Sequence, residues 1–109
     1  MNTRDLLQES GQLSGFIISN LFLSRRGAIR VASAIPGVTI VRAQRPLRLS
    51  GPDDFCEFVL QGKTFLVIEP FGDNSEYWVV SEPPEDSPQL AAVREAFASH
   101  RVLFGALAG

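Results

Sequence analysis

Side chains suited to nucleophilic or general-base chemistry are scarce in this sequence: His100 is its one histidine and Cys56 its one cysteine. Serines and aspartates accompany them, but no nucleophile elbow or other fixed spacing joins Ser, His and Asp into a triad. His100 falls near the end of an expected helix, where free carbonyls favour an imidazolium, so its expected role is structural. Cys56 lies within an apolar run and reads as a small buried hydrophobe. One Cys and one His cannot build a transition-metal site of the Cys/His type. Asp73, Asn74 and Glu76 offer oxygen donors to a hard cation, yet off the EF-hand pattern. A turn whose Asp and Asn side chains bond their own backbone accounts for them. Neither a Walker loop nor a dinucleotide-binding glycine pattern is present. The expectation is a non-catalytic protein without metal or cofactor.

Two groups of residues have the chemistry of recognition instead. The stretch from Phe71 to Trp78, FGDNSEYW, places the only Tyr and the only Trp beside polar side chains. Such residues combine a large apolar area with a polar tip, so Asp73, Asn74, Glu76, Tyr77 and Trp78 form a candidate binding surface. If this segment is a strand, neighbouring side chains face opposite ways, and either Tyr77 or Trp78 packs in the core. The second group is Arg25, Arg26, Arg30, Arg42, Arg45 and Arg48. Their planar forks suit phosphate or carboxylate, which makes them candidate contacts to an anion or a nucleic-acid backbone. Strand alternation puts Arg42 on the face opposite Arg45, and no aromatic residue in this region offers base stacking.

Charge is divided along the chain. Between Ser10 and Pro52 there are six arginines and no acid, whereas Asp53 to Glu95 carries ten acids against Lys63 and Arg94. The net charge is only −2. Halves of opposite sign can attract outside partners or simply each other, and the acidic half would repel the polymer that the basic half attracts.

The elements that must position these residues centre on Phe55 to Glu69, FCEFVLQGKTFLVIE. Gly62-Lys63 has the Gly-first form of a type II′ turn, which sets Leu60 opposite Phe65, Val59 opposite Leu66 and Phe58 opposite Val67. Cys56, Phe58, Leu60, Phe65 and Val67 then share one side, and Phe55, Val59, Leu66 and Ile68 the other. Both sides are apolar, so the hairpin belongs mid-sheet with a cover on each face. Asn2 or Thr3 caps a short first helix, with Asp5 in its first turn. Phe16 to Leu23 fits a buried strand or a buried helix equally well. Arg25 to Ile35 reads as a helix capped by Ser24 and stopped by Pro36. Val38 to Ala43 reads as a strand, Pro46 to Leu49 as a further short or edge strand, and Glu76 to Ser81 as the last strand. Ser87-Pro88 opens a C-terminal helix of about 87–104, with Leu90, Val93, Ala96, Phe97 and Phe104 on its apolar stripe.

A length of 109 residues, 45% hydrophobic and 20% charged, describes a single folded domain over 1–109. Its expected class is α+β: one or two N-terminal helices, an antiparallel meander of 3–5 strands around the hairpin 55–69, and the C-terminal helix. Two alternatives follow from element order. A helix followed by five bent strands resembles a small Sm-like barrel with an added helix, and a strand at Phe16 to Leu23 makes the order ferredoxin-like. The apolar run near the start is too short to span a bilayer and Asp5 and Glu9 oppose an export signal, so a cytoplasmic protein without membrane contact is expected. The expected function is a protein-interaction or assembly module, most simply a homo-oligomer. Nucleic-acid binding through the arginines is the alternative, followed by an enzyme or small-ligand binder with a helix–sheet pocket near Tyr77.

Overall fold

A computed structural model of the chain describes residues 3–19, 24–43, 53–69 and 76–99. The elements run β1 (Thr3–Leu7), β2 (Leu13–Ser19), α1 (Arg25–Ser33), β3 (Val38–Ala43), β4 (Asp53–Leu60), β5 (Lys63–Glu69), β6 (Glu76–Glu82) and α2 (Pro88–Ser99). The strands make one six-stranded sheet in the order β1-β2-β6-β5-β4-β3, and every pairing is antiparallel. The class is α+β, with more strands than the three to five expected.

The additional strands lie at the N-terminus, where a helix was expected. Thr3–Leu7 is an edge strand because the chain reverses directly after it. Gln8 N–H donates to the Gln12 carbonyl and Gly11 N–H to the Gln8 carbonyl, both at 2.8 Å, while Gly11 takes φ +87°, a conformation open to glycine without cost. The cap and first-turn acid that favour a helix lose to this turn and to pairing with β2. Phe16 to Ser19, the ambiguous stretch, is strand; positions 20–23 lie outside the described residues, as do Pro46 to Leu49. Neither alternative architecture matches. The Sm-like order fails because two strands precede α1. The ferredoxin-like order fails because β2 and β3, which flank α1 in sequence, are separated in the sheet by β6, β5 and β4.

The central hairpin forms with its register shifted by two residues from the expected one. Gln61 and Gly62 are the turn, with φ of 50° and 80°, so the loop has the two positive angles of a type I′ turn. Leu60 pairs with Lys63, Val59 with Thr64 and Phe58 with Phe65. A two-residue shift leaves every side chain on its own face, so the expected grouping survives except at Phe55. There, a bulge between Asp54 and Cys56 turns the ring into the core. Asparagine fits the first position of this turn better than glutamine does. Gln61→Asn is therefore expected to add about 0.5 kcal/mol and raise Tm by about 2–4 °C, read by thermal denaturation.

Both helices cover the same face of the sheet, whereas a cover on each face of the hairpin was expected. Ser24 caps α1 by accepting from Gly27 N–H at 3.0 Å, and its sheet-facing side, Gly27, Ala28, Val31 and Ala32, is small enough to lie close to the strands. Ser87 caps α2 by accepting from Leu90 N–H at 3.1 Å. Leu90, Val93 and Phe97, at helical spacing, are buried, and the helix is described to Ser99. Together with Phe16, Ile18, Phe58, Phe65, Val67, Tyr77 and Val79 they form a single core. Arg94 fastens α2 to the edge strand, donating to Thr3 Oγ1 at 2.9 Å and to the Asp5 carboxylate. Among the described residues nothing packs on the opposite face.

Candidate functional site

The strand pairings fix what that opposite face presents. Arg4 pairs with Ile17, Ile17 with Trp78, Trp78 with Ile68 and Ile68 with Asp54. The result is a cross-strand row, Arg4–Ile17–Trp78–Ile68–Asp54, apolar in the middle and charged at both ends. By the same pairings the adjacent row is Leu6–Gly15–Val80–Leu66–Glu57, and Thr64 and Val59 lie beyond it. Ile17, Leu66, Ile68, Trp78 and Val80 are half-buried, and Val41, at the bulge of β3, is 56% exposed. An apolar centre rimmed by charge is the composition of a recognition patch rather than of a solvated sheet face.

The rim is organised by hydrogen bonds. Trp78 Nε1 donates to Glu76 Oε1 at 3.0 Å, and Arg4 donates to Glu76 Oε2 at 2.8 Å. One carboxylate thus orients the indole and the arginine, while the Arg4 side chain stays 68% exposed. At the other end Arg42 donates to Asp54 Oδ2 at 3.1 Å, to the Asp54 carbonyl at 3.0 Å and to Glu57 Oε1 at 3.3 Å. One guanidinium thus bridges two carboxylates of β4.

Gly15 allows β2 and β6 to close under the patch. A Cβ at this position would stand 2.3 Å from the Val79 carbonyl oxygen and 2.9 Å from Val80 Cα, so only glycine fits the observed pairing.

The candidate residues read from sequence separate into several environments. Glu76 and Trp78 lie on the face opposite the helices. Tyr77 is fully buried on the helix side, with its ring edge-on to Phe55 at 5.1 Å. Asp73 and Asn74 lie outside the described residues. Among the arginines, Arg25 ion-pairs with Glu69 at 2.8 Å and sits over the Phe55 ring, 5.0 Å from its centroid. Arg42 is held by Asp54 and Glu57, Arg26 and Arg30 are exposed on α1, and Arg45 and Arg48 lie outside the described residues. Those described do not gather on one surface. Ile17, Leu66, Ile68, Val80 and Arg4 were not singled out as site residues from sequence, although the apolar second side of the hairpin signalled part of this patch.

A groove of about 370 Å³ opens elsewhere, between α1, α2 and the β4–β5 turn, lined by Ile35, Pro36, Leu60, Gln61, Ala92 and Ala96 among others. Glu95 is the one charged residue in its lining, and Tyr77 is not part of that lining. Among the described residues there is no group of three His, Cys, Asp or Glu placed to hold a metal ion, and no helix is long and apolar enough to cross a membrane. No family model, no curated protein and no solved structure matches this chain.

Cys56 belongs to the core and not to the patch. Burial raises its thiol pKa from 9.0 to about 11, with Arg42 opposing the rise and Glu57 adding to it. A folded-state pKa above the unfolded one contributes stability that is intact below pH 9 and fades as pH rises towards 11. Native protein at pH 8 is expected to resist thiol-specific reagents and to react stoichiometrically once unfolded in guanidinium. Fast reaction of the native thiol would contradict its burial.

Proposed function

We propose that this domain is a non-catalytic interaction module whose binding surface is the open face of the sheet, with Trp78 at its centre. The observation that carries the reading is the juxtaposition of Ile17, Trp78, Ile68, Val80 and Leu66 on a face that no described element covers. Six-stranded sheets with one helical layer leave such a face either polar or in contact with something else. The edges of the sheet favour a face over an edge as the contact. Edge strand β1 is short and β3 is bulged at Val41, features that discourage strand addition. Nucleic-acid binding draws less support, since Arg25 and Arg42 are engaged by carboxylates of the same chain. A cytoplasmic setting suits the lone buried thiol.

The test is a double variant, Leu66→Lys with Ile68→Lys, in the patch but outside the helix-side core. It is expected to keep the far-UV spectrum of the folded protein and to abolish, by at least tenfold in affinity, the association that the unaltered protein makes. Association that persists undiminished in the folded variant overturns this reading.

A further inference from the structure

We infer that the groove between α1 and α2 is a binding site for a single-chain anionic amphiphile, a free medium-chain fatty acid, whose carboxylate is taken by Arg30 and Arg26 and whose alkyl chain lies over Ile35. The site is separate from the sheet face proposed above and does not rest on it. Among the described residues, Arg4, Arg25, Arg42, Lys63 and Arg94 each ion-pair with a carboxylate of the chain. Arg26 and Arg30 are exposed and have no such partner among those residues. No acid lies between Ser10 and Pro52 to supply one locally, and like charges four residues apart on a helix repel. An external anion relieves that repulsion, and a pair of guanidinium forks suits a carboxylate.

The adjoining groove supplies the apolar half of the site. A second hollow of about 240 Å³, lined by Val31, Ala34, Ile35, Pro36, Ala96 and Ser99, shares Ile35, Pro36 and Ala96 with the one of about 370 Å³. The two thus make one channel, from Ser99 at one end to Leu60 and Pro88 at the other. It follows α2, which is about 17 Å long at the usual helical rise, a length comparable to an extended dodecanoate. Arg26, Arg30 and Ala34 are spaced four apart and form one ridge along α1. Helical side chains lean towards the N-terminus, so Arg30 reaches past the mouth that Val31 and Ala34 line and not across it. That mouth has no charged lining residue, whereas Glu95 lines the hollow farther along. The difference sets the direction of the ligand, with its carboxylate at Arg30 and its chain tip towards Leu60. An apolar hollow of this size with a few charged groups at one end has the build of a small-molecule site.

The experiment titrates sodium dodecanoate into the full chain at low salt by isothermal titration calorimetry, with thermal denaturation alongside. One equivalent is expected to bind with a Kd of about 0.1–1 mM, since a single acyl chain entering an apolar layer gains about 10⁴ M⁻¹. At about ten times that concentration Tm is expected to rise by about 5 °C. Arg26→Glu with Arg30→Glu, shown to be folded by circular dichroism, is expected to weaken dodecanoate about tenfold. Dodecyltrimethylammonium, with the same chain and the opposite charge, is expected to bind the unaltered protein about tenfold more weakly than dodecanoate. Ala92→Trp, at an exposed wall position, is expected to abolish binding by occupying the channel, and Ala92→Glu serves should it not fold. Leu66→Lys with Ile68→Lys is expected to leave dodecanoate binding unchanged, which separates failure of this site from failure of the sheet-face reading. No heat of binding and no rise in Tm up to about 5 mM, or a fall in Tm, overturns the site. Binding indifferent to the arginine and Ala92 variants, or equal for the two amphiphiles, overturns its place in the channel. Retention on phosphatidylglycerol vesicles without uptake of free dodecanoate overturns the fatty acid as occupant and assigns the arginines to a membrane surface.

Discussion

Gly15→Ala is expected to destabilise the domain by about 3 kcal/mol and to lower Tm by more than about 10 °C. The added methyl carbon would stand 2.3 Å from a backbone oxygen of β6, far inside van der Waals contact. A strand backbone cannot rotate away as the end of a flexible side chain can. Relief requires β2 and β6 to separate, which loosens the Gly15–Val80 and Ile17–Trp78 pairings and with them the centre of the patch. Gly62→Ala is the informative contrast. Its Cβ would meet nothing within 4 Å, so its cost is the conformational one of a positive φ, about 1 kcal/mol. Thermal unfolding of both variants measures the difference. Equal losses would contradict the close approach of β2 to β6 at Gly15.

Phe97→Ala is expected to cost about 3–5 kcal/mol, the usual range for emptying a fully buried aromatic site. Phe97 has no exposed surface and its ring lies 5.7 Å from that of Phe16, so it packs α2 against β2. The vacated volume is bounded by other core side chains that sit on paired strands, which limits collapse. Glu95, two positions earlier and exposed, should tolerate alanine within about 0.5 kcal/mol. Urea denaturation checks both, with an unchanged slope expected for a two-state loss. A loss below about 1 kcal/mol for Phe97→Ala would mean that α2 is not seated on the sheet as described.

Local chemistry determined much of this fold. Ser24 and Ser87 marked helix starts because a side-chain acceptor for a free amide is needed wherever a helix begins. Val38 to Ala43, Phe55 to Glu69 and Glu76 to Ser81 read as strands from their β-branched and apolar alternation, and Gly62 marked the reversal between two of them. Alternation likewise required Tyr77 and Trp78 to part company. The turn type and register were not legible, because Gly62 serves equally well as the first or second central residue of a two-residue loop; pairing along the whole hairpin chose between them. The first strand was misread because Thr3 and Asp5 satisfy a helix terminus as readily as they satisfy an edge strand, and only β2 alongside settles the competition.

Sequence patterning alone established that both sides of the central hairpin are apolar. What lies on each side depends on contacts between segments far apart in the chain, and local periodicity carries no record of those. Tertiary structure gathered both helices on one side, since Phe97 with Phe16 and the small residues of α1 with the strands complete one shared core there. It thereby left Ile17, Trp78 and Ile68 in line on the other side, a row assembled from strands that the sequence scatters between residues 4 and 78.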